Sequence, residues 1–110
     1  QKRDEAFSAV ALTDPEGRIF YLNKEGKELL RIDLERSFSL PFEDAVTLWD
    51  PVTATEVKDL IGSATNGNLI QKELSLRRQE KEEMFVLVEA GRLMTMDGTM
   101  QGGICILQPL

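Results

Sequence analysis

Histidine is absent from the 110-residue sequence, and cysteine occurs once, as Cys105. Without His there is no Ser-His-Asp or Cys-His relay, no His-ligated haem iron and no His-containing zinc site. One cysteine cannot close an internal disulfide, so a reducing, cytoplasmic setting is expected. No run approaches the ~18 apolar residues of a membrane-spanning helix, and no signal-peptide pattern opens the chain. Positive charge is scarce: 13 Lys and Arg against 19 Asp and Glu leave a formal charge of −6. Nucleic acid and anionic membrane surfaces select clustered cations, so neither is an expected partner.

What is present suits one folded domain over residues 1–110, with 42% hydrophobic residues. Residues 1–6 read either as the end of a flanking helix or as a frayed terminus, and both chain ends look cut from something longer. The organising stretch is Val10 to Asn23. Asp14-Pro15-Glu16-Gly17 has the residue order of a type I turn, with apolar and β-branched residues on both sides, so residues 10–22 predict a hairpin. Asn23 is a helix cap by type, and Leu29 and Leu30 give the helix that follows an apolar face.

Residues 33–44 read as irregular chain with a helical turn, and Asp50-Pro51 as a break. Thr53 to Glu56 has capping-box spacing. Val57, Leu60, Ile61 and Ala64 then repeat as one face of a helix, which Asn66-Gly67-Asn68 ends. Three strands follow. Residues 69–78 alternate, with Lys72 as an exception on the apolar side; 84–93 form the second; 99–107 form the third, after an Asp97-Gly98 turn. Gly102 and Gly103 mark a bulge or a close backbone approach. The expected fold is α+β: a five-stranded antiparallel sheet with short helices on one face.

Asp14, Gly17, Ile19 and Asn23 match the D-x-x-G-x-I-x-x-x-N signature of PAS domains, and Asp97, Gly98 and Gly102 match the D-G-x-x-x-G of that family's last hairpin. In this order, over residues 7–108, the chain resembles a PAS domain of a bacterial multidomain sensor. Two places depart from the pattern: Gln79-Glu80-Lys81 stands where an Asp-Gly turn is usual, and Pro109-Leu110 where a D-I-T would lead to an output helix. The resemblance implies strand order 2-1-5-4-3, a sensory role, homodimerisation and an adjacent output domain in the parent chain. A haem-binding relative would offer a His. A flavin photosensor would carry a reactive Cys on a helix, where this chain has none, so neither cofactor is expected.

Alternation on the fourth strand sends Val86, Val88 and Ala90 toward the helices and Phe85, Leu87 and Glu89 outward. With Ile104 and Ile106 of the last strand, Phe85 and Leu87 form a candidate dimer interface, because an apolar outer face wants a cover, from a second copy, a flanking helix or the N-terminal residues of the same chain. The inner side offers a candidate pocket for a small molecule: Leu60 and Ala64 on the helix, Leu74 and Leu76, then Val86, Val88 and Ala90, and Cys105 with Leu107. The alternative is that these side chains simply fill the core, since no polar group stands ready to orient a ligand. Trp49-Asp50 reads as a plug at the core edge with a turn residue behind it. Three functional classes result: a ligand-responsive regulatory module, a ligand-free dimerisation domain and a small enzyme. The last is disfavoured because no nucleophile–base set or carboxylate pair is visible.

Overall fold

A computed structural model describes residues 8–33, 35, 39–78 and 82–110. The order is β1 (Ala9–Thr13), β2 (Ile19–Leu22), α1 (Lys24–Leu30), α2 (Phe42–Ala45), β3 (Thr47–Asp50), β4 (Thr55–Val57), α3 (Leu60–Thr65), β5 (Ile70–Arg78), β6 (Glu82–Met94) and β7 (Met100–Pro109). All strands join one antiparallel sheet in the order β2-β1-β7-β6-β5-β3-β4. The expected five-stranded sheet is therefore corrected to seven strands. The additional pair, β3 and β4, extends the sheet beyond β5.

Asp50-Pro51 makes the turn of that pair rather than a break. Asp50 Oδ1 accepts from Val52 N–H at 2.9 Å, and its carbonyl accepts from Ala54 N–H at 2.8 Å. The capping box read at Thr53–Glu56 is likewise corrected: Thr55 and Glu56 lie in β4, and the helix starts only at Leu60. Pairing with β3, which sequence spacing does not reveal, holds this segment extended. The expected flanking helix over residues 1–6 and the loop at 79–81 lie outside the described residues.

Asp14 builds the first corner: its Oδ1 accepts from Glu16 and Arg18 N–H, both at 2.9 Å, and its carbonyl accepts from Gly17 N–H at 3.0 Å. Gly17 takes φ +85°, a left-handed conformation open to glycine at little cost. The same corner holds the helical layer, since Phe42 N–H donates to Gly17 C=O at 2.8 Å and Ile19 N–H to Leu40 C=O at 2.9 Å. Asn23 does three things at once. Its Oδ1 accepts from Gly26 N–H at 2.7 Å, capping α1, and from Val10 N–H at 2.9 Å, while its Nδ2 donates to Ser8 C=O at 3.0 Å. It thereby ties the helix start to the strand beside it.

The second corner is set by Asp97 and Gly98. Gly98 N–H donates to Thr95 C=O at 3.1 Å, and Asp97 Oδ1 accepts from Thr99 N–H at 3.0 Å and from the Thr95 hydroxyl. These bonds hold the Asp97 carboxyl below its usual range, the Thr95 hydroxyl contributing most. Further on, the register slips opposite Leu93 and Met94, so Gln101 is the extra residue of a bulge. Gly102 beside it has φ +147°, and a Cβ there would lie 1.8 Å from Thr13 C=O. The paired glycines thus serve both a bulge and a close approach.

Helices α1, α2 and α3 contribute Leu30, Phe42, Leu60, Ile61 and Ala64 to a single core with the inward residues of the sheet. Removing this apolar surface from water is the main force holding the layers together. Among the described residues, no helix is long and apolar enough to cross a membrane.

Candidate functional site

The inner face gathers all nine candidate pocket residues. Leu60, Ala64, Leu74, Leu76, Val86, Val88, Ala90, Cys105 and Leu107 are each between 0 and 3% exposed. They pack as the core, and three of them, Ala64, Leu76 and Ala90, also border cavities that open at the surface. Cys105 sits on β7 opposite Ala11 and Ala90, and burial pushes its thiol up to about 12. A thiol held neutral in this way behaves as a small apolar side chain.

The outer face carries the candidate interface. Phe85 is 53% exposed, and Leu87, Ile104 and Ile106 are half-buried. Cross-strand pairing continues the patch onto β1, where Val10 lies opposite Ile106 and Leu12 opposite Ile104. Tyr21 of β2 stands next to Leu12 and is exposed. The result is an apolar band across β6, β7, β1 and β2.

Trp49 also belongs to this outer face rather than to the core edge, which corrects the plug expected there. It pairs with Ser75 across β3 and β5, and the Arg77 guanidinium carbon lies 4.1 Å from its ring centroid, a cation–π contact. Leu48, one residue earlier, is the buried one, at 2%. Its neighbour Asp50 turns inward and explains the misplaced Lys72, whose Nζ lies 3.3 Å from Asp50 Oδ2. The Val52 N–H and that ammonium hold the Asp50 carboxyl below its usual range.

Two groups escaped sequence reasoning. The first is Glu43 of α2, which reaches across to α3: its Oε2 accepts from Ile61 N–H at 3.3 Å. Asp59 precedes that helix in a left-handed conformation and makes no side-chain cap bond, so Glu43 stands in for it. Partial burial pushes the Glu43 carboxyl up, helped by repulsion from Asp59 and opposed by the α3 N–H groups. Of the two carboxylates, Glu43 bonds the helix start and Asp59 does not. The second is Arg78, which alternation places on the same side as Leu74 and Leu76. That parity was the available signal. Its Nη1 donates to Leu29 C=O at 2.9 Å. Among the described residues, no group of three or more Cys, Asp or Glu is placed to hold a metal ion.

A family model described as PAS fold matches residues 4–110. Among solved structures, the chain is similar to the PAS domain of a protein from Colwellia psychrerythraea, at 19% identity and TM-score 0.69, covering 97% of this chain and 89% of that one. The PAS domain of nitrogen regulation protein NR(II) from Vibrio parahaemolyticus aligns at 11% identity and TM-score 0.67, over 97% and 93% of the two chains. The blue-light activated histidine kinase EL346 from Erythrobacter litoralis aligns at 15% identity and TM-score 0.72; 97% of this chain covers 35% of that one. A search of the curated proteins finds no match.

Proposed function

The chain belongs to the PAS fold family, and from that premise we propose that it is a sensory or regulatory module of a bacterial signalling protein. Its setting is the cytoplasm, and an output domain adjoins it in the parent chain. The observation that carries this reading is the apolar band on the outer sheet face, with Phe85 half exposed beside Leu87, and Ile106 diagonal to Leu87 on β7. A second copy of the domain covers that band. A change in how the helices pack on the inner face alters the sheet and, through it, the pairing of the two copies. Such a change needs a ligand or neighbour that favours one packing over the other. The domain itself carries no catalysis; activity belongs to the output. A histidine kinase among the structural neighbours is consistent with that division.

The filled inner core favours a second reading, a dimerisation domain without a ligand. Native mass spectrometry of protein purified from cells separates the two. A dimer retaining a small molecule supports sensing. A dimer of bare chains supports the second reading, and a bare monomer overturns both.

A further inference from the structure

Three of the chain's four methionines, Met94, Met96 and Met100, fall within seven residues at the tip of the β6–β7 hairpin. Methionine ordinarily fills gaps in a core. Met84 does so, packed against the buried cluster. The other three do not join that cluster: Met94 is 42% exposed, Met96 is fully exposed and Met100 is half-buried. Apolar side chains scattered singly over a surface need no explanation, but three thioethers on one corner do.

The fold brings them together. Met94 and Met100 stand directly opposite each other across β6 and β7. Residues so paired share a face, with Cβ atoms about 4.5–5.5 Å apart. Met96 follows as the first central residue of the turn, which Gly98 N–H closes on Thr95 C=O at 3.1 Å. Two further bonds hold the corner: Thr95 N–H donates to Thr99 C=O at 2.8 Å, and Asp97 Oδ1 accepts from Thr99 N–H at 3.0 Å. These bonds run through Thr95, Asp97, Gly98 and Thr99 and involve no methionine sulfur. The frame is therefore fixed while the three flexible thioether arms remain able to close on one ion. Asp97 adds a negative charge on the same turn. Arg92, the cation two residues before Met94, lies against Gly67, its Cζ 3.8 Å from where a Cβ on that glycine would sit.

We infer that this corner binds one soft monovalent metal ion, of the Cu(I) class, through the thioethers of Met94, Met96 and Met100. Thioether sulfur is polarizable and uncharged, so it selects Cu(I) and leaves hard cations such as Mg²⁺ to oxygen ligands. That no group of Cys, Asp or Glu is placed to hold a metal does not bear on this site, because its donors are of another kind. A bound ion ties β6 to β7 at their shared corner and braces the two strands that carry Phe85, Leu87, Ile104 and Ile106. The inference goes beyond the sensory reading and stands or falls without it.

The test titrates the whole 110-residue chain with Ag(I), an air-stable ion of the same class, in chloride-free buffer, and follows the methionine methyl signals by NMR. The methyls of Met94, Met96 and Met100 are expected to shift together and saturate at about one equivalent, with Met84 unmoved. Zn²⁺ and Mg²⁺ are expected to move none of them. Replacing all three residues (Met94→Leu, Met96→Leu, Met100→Leu) keeps the apolar bulk on an exposed corner and removes the sulfurs. That variant is expected to bind Ag(I) about tenfold more weakly or worse by calorimetry, and to lose the rise in urea midpoint that Ag(I) gives the wild type. It retains Cys105, so an ion held by the thiol would show as binding unchanged. Equal binding by the triple variant, shifts that never saturate, or the same shifts with Zn²⁺ each overturn the inference. No shift with Ag(I) overturns it too, and leaves the corner an apolar surface only.

Discussion

Asn23 concentrates more of the fold than any single type preference suggests. As a helix cap alone it would contribute about 1 kcal/mol. Here it also accepts from Val10 N–H and donates to Ser8 C=O, so its removal leaves strand β1 with unpaired polar groups. Asn23→Ala is expected to lower unfolding free energy by about 2–3 kcal/mol, read from urea denaturation. Asn23→Asp keeps the two acceptor contacts and loses the donor, so it should fall between. A loss no larger than that of an ordinary cap would mean the strand contacts add nothing. The cap itself was legible because Asn follows the hairpin and precedes an apolar helix face. Its bonds to Ser8 and Val10 were not, since they depend on which strand edge the helix start meets.

Glu43 decides how two elements meet, because α3 begins with a residue that does not cap it. Its raised pKa fixes the sign of a pH effect. Between the ordinary carboxylate value and the folded value, the native state holds more proton than the unfolded one. Stability contributed by the neutral carboxyl is therefore lost as pH rises through the folded pKa. Asp50 and Asp97 act oppositely: their lowered values contribute stability that is lost as pH falls through them. Those two are unchanged in Glu43→Gln and cancel when variant and wild type are compared. The variant keeps an acceptor for Ile61 N–H and stays neutral, so its stability relative to wild type should rise with pH from about 4 to 7, in urea midpoints. The carboxyl is partly exposed, so the rise is small; a flat difference would show that Glu43 does not feel its surroundings.

At the scale of the whole molecule, the outer band is the feature that reaches beyond one chain. Leu87 lies at the β6 margin of the band, opposite Glu73 of β5 on one side and Gln108 of β7 on the other. Replacing it with Glu sets a charge within the proposed contact while leaving the inner core untouched. Leu87→Glu is expected to shift sedimentation from dimer to monomer with little change in the urea midpoint. An unchanged mass would place the interface elsewhere. The β3–β4 addition also acts at this scale: it widens the sheet and carries Trp49 to the outer face.

The two Asp/Gly corners, the inward parity of Val86, Val88 and Ala90, and the outward parity of Phe85 and Leu87 were all legible in the order of residues. Each follows from short-range chemistry: a turn needs particular residues at adjacent positions, and a pleated strand alternates its faces whatever lies around it. It took the folded sheet to show that residues 47–50 and 55–57 are strands, that Lys72 meets Asp50, that Glu43 caps a helix not its own, and that Arg78 shares its acid with Arg31. Those contacts join residues far apart in the chain, and their energy exists only once the sheet has brought them within a few ångströms. Local preference could not anticipate them, because nothing in the pattern around either partner records the other.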